Sequence, residues 1–375
     1  MAHVRKEGKS WYYAIDMGKD LDGKRKIKKK RGFKTKKEAE TAMNIIINEI
    51  NTGRYVEPSQ MLYGTFMEDW LDYKEHTANV KKTTLDAYTR LTRVHIIPGL
   101  GNRKISELNQ FEVDYFLRDL TKSGRLASES VQKIYTMIKD SLGRAVKLGL
   151  IASNVCDFVD RPTATKKDLQ IWDVDEVVKF LDTAKKDRSY MVFYLAITCG
   201  MRQSEILGLT WDNVDLKNGT IYVKKQLERN TREFTTLKTK SSKRSISINE
   251  NDVQALKEQR KLIASEQLHS THYTNMNLVC PTSTGTPYLF GNIRKIFNRL
   301  IKEAGVKPIR FHDQRHTHVS LLLKSNVNPK IIAERLGHAN TRTTLDIYSH
   351  LLPNIQKDTA KLFGDMLFGA NREIN

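Results

Sequence analysis

The sequence FHDQRH at residues 311–316 brings two histidines and one arginine into a stretch with a helical pattern. His312 and Arg315 are three residues apart and therefore share one face of a helix. On that face the guanidinium can hold a phosphate with two N–H groups, and the imidazole can hydrogen-bond and accept a proton. A zinc site is the alternative, but the HExxH motif needs Glu directly after its first histidine, where this chain has Asp313. We therefore predict a phosphate site without a metal.

Arg202, upstream of this stretch, is a second candidate phosphate ligand. The sequence TCGMRQSE at residues 198–205 places Arg202 after a glycine break, at the start of a predicted helix. Glu205 follows three residues later on the same helix face and can hold the guanidinium through a charge-assisted pair. An ordinary surface ion pair is the alternative. Apolar residues flank both side chains, so we expect a partly buried arginine that needs more than one partner.

Two further candidates lie downstream, in LGH at residues 336–338 and in DIYSH at residues 346–350. The glycine predicts the end of a helix just before His338. Tyr348 follows ten residues later on a short predicted helix, where a tyrosine is more often a core residue. A phenol, with a solution pKa of about 10, attacks at neutral pH only beside positive charge and a proton acceptor. The arginines and histidines above supply both, which makes Tyr348 the candidate nucleophile.

A run of cations, KTKSSKR at residues 238–244, precedes the alternating residues 245–248. This pattern predicts a β-hairpin whose turn is crowded with positive charge, although most charge runs are only solvated loops. A lysine at such a tip can reach into a DNA groove and donate a proton to a leaving oxygen. Lys238 is the candidate for that role, and Lys240 is the alternative. The DNA contacts predicted in this run are Lys240, Lys243 and Arg244.

Composition favours a nucleic-acid partner. The chain has 375 residues, a net charge of +20 and 39% hydrophobic residues, which predicts two or three globular domains and a polyanionic ligand. The longest apolar stretch, residues 191–201, is too short to span a bilayer, so no membrane is expected. Three cysteines without a CxxC spacing fit free thiols in a reducing, cytoplasmic compartment. The chain has no Walker motif, so ATP is not expected.

The first 57 residues predict a small β-then-α module. Residues 10–17 alternate, Asp22-Gly23 signals a hairpin turn before a strand at residues 26–30, and Thr35 with Glu38 forms a capping box that opens a helix. Basic residues fill almost the whole stretch from 24 to 31. A solvated strand face and a disordered arm are alternatives, but charge on a hairpin favours an arm that enters a DNA groove. The predicted contacts are Lys24, Arg25, Lys26, Lys28, Lys29, Lys30 and Arg31.

Two linkers, at residues 53–63 and 161–168, divide the rest of the chain. Residues 62–160 between them have apolar side chains at helical spacing, which predicts a bundle of four or five helices with a basic face that includes Lys81 and Lys82. Residues 168–375 predict a mixed, helix-rich domain with a small antiparallel sheet. The fold class is therefore α+β and mostly helical.

Arg202 with Glu205, the hairpin lysine, HDQR at 312–315, LGH and Tyr348 together resemble the active-site set of the tyrosine recombinases, specifically the integrases of temperate phages and integrative conjugative elements. The resemblance covers nearly the whole chain. It implies an arm-type DNA-binding domain at 1–57 with a three-stranded sheet and a helix, a helical core-binding domain at 62–160, and a catalytic domain at 168–375 with a C-terminal tail helix.

The resemblance also implies roles. Arg202, Arg315 and His338 would hold the scissile phosphate, Lys238 would act as general acid and His312 would assist proton transfer. Tyr348 would form a 3′-phosphotyrosine, and Glu205 would support Arg202. The implied reaction uses no cofactor. The implied partners are double-stranded attachment sites of core and arm type, a homotetramer on DNA, an excisionase and a host DNA-bending protein, with the tail helix docked on its own domain or on a neighbouring protomer.

Two other classes of protein share part of this pattern. A monomeric type IB topoisomerase would use the same chemistry to relax DNA, but the N-terminal module and the tail have no obvious use there. A non-catalytic DNA-binding regulator would explain the charge and not the convergent set of reactive side chains.

Overall fold

The computed structural model describes residues 2–19, 23, 25–52, 55–78, 80–164, 169–229, 231–237, 242–337 and 355–368. It divides into two compact units, Met1–Lys167 and Asp168–Asn375. Each unit has its own buried apolar core, as expected for modules that pack separately. Among the described helices, none combines the length and the apolar character that crossing a bilayer requires.

The first unit begins with an antiparallel sheet and a helix. Its elements are β1 Ala2–Glu7, β2 Ser10–Lys19, β3 Arg25–Phe33 and α1 Lys36–Asn51, with β2 central in the sheet. Helix α1 packs on β2, whose residues Tyr13 and Ile15 are buried. The predicted capping box is confirmed, because the Thr35 hydroxyl accepts the Glu38 N–H at 3.2 Å and the Glu38 carboxylate accepts the Thr35 N–H. Asp22 of the predicted turn lies outside the described residues.

The rest of the first unit is a helical bundle. Its helices are α2 Tyr63–His76, α3 Lys82–Leu91, α4 Ile97–Leu100, α5 Gln110–Lys122 and α6 Ser128–Lys147, with a π-helical turn at Thr92–Ile96 between α3 and α4. Trp70 is almost fully buried, stacks on Tyr88 and donates its indole N–H to Asp140 at 2.9 Å. This tryptophan therefore ties α2 to α3 and α6.

The second unit combines helices with two small sheets. The helices are α7 Val174–Ala184, α8 Tyr190–Thr198, α9 Gln203–Leu207, α10 Glu250–His269, α11 Phe290–Ala304, α12 Asp313–Lys324, α13 Pro329–Leu336 and α14 Ile355–Phe368. The strands are β4 Val214–Asp215, β5 Thr220–Val223, β6 Lys225–Leu227, β7 Phe234–Thr236 and β8 Arg244–Ser247. The mostly helical α+β architecture predicted from the sequence is confirmed.

Helix α8 is the central element of this unit. Its residues are apolar almost without interruption, and it packs against α7, α10 and α12, so nearly all of its sides are buried. Phe193 of α8 joins an aromatic cluster with Phe180, Phe297 and Phe311. The cluster anchors the first half of α8, and from the other end of the helix the chain runs into Gly200 and Arg202.

The strand pairing differs from the predicted hairpin. The strands before and after the lysine run were expected to pair with each other, but β8 pairs with β5 and β7 pairs with β6. Ile221 and Ile246 face each other across β5 and β8, and both are buried, whereas Phe234 and Thr236 of β7 are exposed. Pairing β8 with β5 therefore brings its apolar face into the core, which a hairpin with β7 would not do.

Candidate active site

Arg202 is held by Glu205 and keeps a partly exposed side chain. Gly200, with φ +62°, turns the chain between α8 and α9 and places Arg202 directly before α9. The Glu205 carboxylate accepts the backbone N–H of Arg202 at 2.9 Å and its guanidinium at 2.8 Å. Glu205 is 1% exposed, while the Arg202 side chain is 32% exposed. The predicted ion pair is present, and the Arg202 side chain stays partly exposed.

A second arginine grips the same carboxylate. Nη1 and Nη2 of Arg244 donate to the two oxygens of Glu205 at 3.0 and 2.8 Å, and the Arg244 side chain is only 4% exposed. Burial raises the pKa of Glu205, but hydrogen bonds and positive charge from Arg244, with the charge of Arg202, outweigh it and lower the pKa to about 2. Glu205 is therefore an anion between two cations.

This burial corrects one prediction. Arg244 was expected to contact DNA as part of a solvated charge run, but its guanidinium lies in the interior and is bonded to Glu205. A sequence signal for this placement exists. Ile246 is buried in β8, and Arg244 lies two residues before it, so both side chains share the inward face of the strand.

Arg315 connects two separate segments. Its side chain is buried on α12, with Nη1 donating to the Gly200 carbonyl and Nη2 to the Leu336 carbonyl, each at 2.7 Å. Gly200 lies two residues before Arg202, and Leu336 lies two residues before His338. One guanidinium thus joins the chain segments that lead to two other predicted site residues.

His318 has a structural place beside this junction. Its Nδ1 is 2.8 Å from the Ile197 carbonyl, and its Nε2 is 3.3 Å from Nε of Arg335. Nη1 and Nη2 of Arg335 donate to the carbonyls of Ser247 and Thr198. Burial, with the nearby charge of Arg335, lowers the pKa of His318 to about 3. The imidazole is neutral at pH 7, accepting from Arg335 and donating to Ile197. Neither His318 nor Arg335 received a role from the sequence.

Several predicted site residues lie outside the described part of the chain. They are Lys24 of the arm module, Lys238 and Lys240 of the cation run, and His338 and Tyr348 near the C-terminus.

Three consecutive parts of the chain match known families. Residues 3–50 match an arm DNA-binding domain, residues 62–120 match the N-terminal SAM-like domain of phage integrases, and residues 170–354 match the phage integrase family. The ICEBs1 integrase of Bacillus subtilis (strain 168) is 32% identical to this chain over 285 residues, which cover 73% of this chain and 75% of that protein. This chain belongs to the phage integrase family.

The recombinase has relatives along almost its whole length. A XerC-like tyrosine recombinase of Caldanaerobacter subterraneus subsp. tengcongensis is 28% identical over 384 residues, covering 96% of this chain and 97% of the relative. Members of the family are site-specific enzymes that break and rejoin DNA. A structure of the Tn1549 transposon integrase with a circular intermediate DNA covers 81% of this chain and 100% of its own, with a TM-score of 0.70. Its identity to this chain is 23%, so that likeness shows the fold alone.

The two histidines of HDQRH lie at the start of α12. His312 is exposed, directly before the helix, and its ring packs edge-on against His316 with the centroids 5.0 Å apart. Partial loss of hydration, followed by the charges of Arg315 and Arg202, lowers the pKa of His312. Burial lowers the pKa of His316 to about 4. His312 is therefore neutral at pH 7 in the recombinase and able to accept a proton.

The described residues contain no group of three or more His, Cys, Asp or Glu side chains arranged to hold a metal ion. His318, the histidine that follows His316 on α12, is already bonded to Ile197 and Arg335. The cysteines Cys156, Cys199 and Cys280 are buried free thiols, as the sequence predicted.

The basic strand β3 of the recombinase has acidic and aromatic neighbours. Lys29 lies 3.8 Å from the centre of the Tyr12 ring, and Lys28 donates to the Tyr55 hydroxyl at 2.6 Å. The ion pairs of the strand are Arg25 with Asp16, Lys26 with Glu57, and Lys29 and Arg31 with Glu7. Exposed pairs of this kind are weak. Lys30, Lys81, Lys82 and Lys243 are also exposed.

Proposed function

We propose that this chain is a site-specific tyrosine recombinase that integrates and excises a mobile element or prophage through a 3′-phosphotyrosyl intermediate. One observation carries the proposal. Arg315 donates to the carbonyls of Gly200 and Leu336, so the segments that lead to Arg202 and His338 are tied to HDQR. An active site that binds one phosphate needs residues from distant parts of the sequence to lie close together.

In the proposed reaction the Tyr348 oxygen attacks the scissile phosphorus. A bond forms between that oxygen and the 3′ phosphate, and the bond from phosphorus to the 5′ oxygen breaks. His312 accepts the phenol proton, and Lys238 protonates the leaving 5′ oxygen, with Lys240 as the alternative donor. The 5′ hydroxyl of a partner strand then attacks the phosphotyrosine and releases Tyr348. One phosphodiester replaces another, so the exchange needs no ATP.

The predicted phosphate ligands match the charge of this reaction. The transition state gathers negative charge on the nonbridging oxygens, and planar guanidinium forks suit that geometry better than ammonium groups do. Arg202 and Arg315 would supply the forks, and His338 would supply a further donor. Glu205 would hold Arg202 in place, in keeping with its bond to that guanidinium.

The proposed domains follow the order of the chain, with arm-type DNA binding in residues 1–57, core-site binding in 62–160 and catalysis in 168–375. Two duplexes have four cleavage points, so we infer a homotetramer on DNA, acting in the bacterial cytoplasm with an excisionase and a DNA-bending protein. The tail helix α14 exposes Phe363, Met366 and Leu367. This apolar face is suited to docking, on its own domain or on a neighbouring protomer.

Adduct formation tests the mechanism. The full chain is incubated with a nicked suicide duplex that carries the attachment core, and covalent protein–DNA adducts are resolved in SDS. We expect an adduct from the wild type and from Tyr273→Phe, and none from Tyr348→Phe. An adduct that survives Tyr348→Phe would defeat the proposed nucleophile.

Two further readouts distinguish a recombinase from a topoisomerase and from a DNA-binding regulator. A type IB topoisomerase would relax a supercoiled plasmid that lacks any attachment site, whereas the recombinase should leave it supercoiled. A regulator would bind the core duplex and form no adduct even with the wild-type chain.

A further inference from the structure

We propose that Arg244 is a positioning residue that fixes three separate segments of the active site from a buried place. The inference rests on the proposed function, because it concerns the alignment of residues around the scissile phosphate. The Arg244 side chain is 4% exposed, and its hydrogen bonds lead to Glu205 and Arg335, which are distant in sequence, and to Ser242 in its own segment.

The first bond set leads to Arg202. Arg244 donates to both oxygens of Glu205, and the same carboxylate accepts the backbone N–H and the guanidinium of Arg202. Two donors from Arg244 fix the plane of the carboxylate, which leaves Arg202 one orientation in which its bond is satisfied. Any rotation of Arg244 would therefore move the guanidinium of Arg202, which is proposed to bind the phosphate.

The second bond leads to the segment before His338. Nε of Arg244 donates to the Arg335 carbonyl at 2.7 Å, in the last turn of α13. The helix ends at Leu336 and is capped by Gly337, whose φ is +69°, and His338 is the next residue. Arg244 thus fixes the end of the helix from which His338 follows.

The third bond leads to the lysine run. Nη1 of Arg244 donates to the Ser242 carbonyl at 3.2 Å, and Ser242 is buried. Lys240 lies two residues earlier and Lys238 four residues earlier. The bond anchors the end of this run to the same guanidinium that orients Glu205.

Only an arginine side chain can make this set of contacts. The guanidinium is planar and presents five N–H donors in directions fixed by its geometry, whereas a lysine has a single nitrogen. The substitution Arg244→Lys would keep the positive charge beside Glu205, but the single ammonium could not reach the carboxylate, Arg335 and Ser242 together. This variant therefore separates charge from positioning.

The same unit contains a matched control. Arg188 donates to both oxygens of Glu266, at 2.7 and 2.6 Å, and also to the carbonyls of Pro281 and Thr282. Like Arg244 it holds both oxygens of a carboxylate and also donates to carbonyls, although it uses Nε and Nη2 where Arg244 uses Nη1 and Nη2. Among the described residues it has no bond to a predicted site residue. Arg188→Lys should reproduce the structural effect of losing an arginine clamp and leave the chemistry unchanged.

The experiment measures adduct formation by the full-length wild type, Arg244→Lys and Arg188→Lys on three nicked core duplexes. The first has an ordinary scissile phosphate. The second has a methylphosphonate, which lacks the nonbridging charge that Arg202 would neutralise. The third has sulfur in place of the 5′ bridging oxygen, so the leaving group is a thiolate that needs no general acid. Thermal midpoints and binding to the core duplex are measured for each protein.

On the ordinary duplex we expect Arg244→Lys to slow adduct formation by roughly 100-fold, the size of effect that a displacement of about 1 Å has on positioned groups. The ratio of its rate to the wild-type rate should rise on at least one modified duplex, because the misplaced group is no longer needed there. Arg188→Lys should keep the wild-type rate on all three duplexes. If Arg244→Lys does not fold, Arg244→Gln, which keeps a planar donor toward Glu205, replaces it.

Three results would overturn the positioning role. They are an unchanged rate for Arg244→Lys, an equal rate ratio on all three duplexes, and an equal defect in Arg188→Lys. The absence of any adduct from the wild-type chain is a different outcome, because it removes the recombinase proposal on which this role depends.

Discussion

Glu205 is the most strongly constrained charge of the described site, because it is almost fully buried between Arg202 and Arg244. Its pKa in the folded chain is about 2, below its ordinary value of 4.5. A depressed carboxyl pKa means that ionised Glu205 stabilises the fold fully above pH 4.5, and that this contribution is lost as the pH falls toward 2. Ionised Glu205 should therefore contribute to the acid stability of the second unit.

Glu205→Gln should lower the free energy of unfolding by about 3 kcal/mol at pH 7, because Arg244 is left buried without its counter-ion. The difference from wild type should stay constant above pH 4.5 and shrink below it. Urea unfolding followed at a series of pH values measures this, with the exposed Glu233→Gln as the control. A difference that does not change with pH would contradict the assignment of Glu205 as a buried anion.

Gly200 is constrained both by its backbone and by its neighbours. With φ +62°, a Cβ atom at this position would lie 2.7 Å from Cδ2 of His318 and 2.8 Å from Cδ2 of Leu336. Gly305 has almost the same φ, +63°, and open space around it. The two glycines share almost the same φ and differ in crowding, so Gly305 serves as a control for backbone strain.

Gly305→Ala should cost about 1 kcal/mol, from backbone strain alone. Gly200→Ala should cost about 3 kcal/mol in total, and it should also slow adduct formation, because its carbonyl is an acceptor for Arg315. Thermal unfolding and the nicked-duplex assay measure the two effects. Equal losses of stability in both variants would show that crowding at Gly200 has no effect.

At the scale of elements, local patterns were predicted well and distant pairings were not. The start of α1 at Thr35 was found because its capping box needs only residues three apart. The pairing of β8 with β5 was missed, because it depends on which apolar face enters the core. Arg335 and His318 were missed because they bond to backbone carbonyls, which leave no trace in the sequence.

The basic strand β3 should bind phosphates in arm-site DNA. Replacing Lys28, Lys29 and Lys30 by Ala should flatten the plot of log K against log salt by about 0.9 for each phosphate that is no longer neutralised. Salt titrations of binding to an arm duplex measure the slope. Lys179, Lys185 and Lys186 are exposed lysines of the second unit, and their triple Ala variant controls for the change in net charge. An unchanged slope in the β3 variant would contradict a DNA-binding role.

At the scale of the whole molecule, the two units have separate cores. Phe66 is buried in the core of the first unit and Phe297 in that of the second. Separate cores imply that each unit can lose its packing by itself. The sequence predicted a division at residues 161–168 from composition alone, since linkers and cores differ in their content of apolar residues.

Calorimetry can detect this independence. Phe66→Ala and Phe297→Ala should each cost about 3–5 kcal/mol and lower one of two thermal transitions, leaving the other at its wild-type temperature. A single transition that moves in both variants would mean that the units unfold together.

The place of Arg315 has a practical meaning for anyone who needs an inactive form of the protein. Its guanidinium ties Gly200 to Leu336, so removing it would loosen the scaffold together with any catalytic function. If a variant at Arg315 were inactive, loss of catalysis could not be distinguished from damage to the fold. An inactive partner for mixed assemblies, genetic complementation or crystals with uncut DNA should therefore carry its substitution at Tyr348.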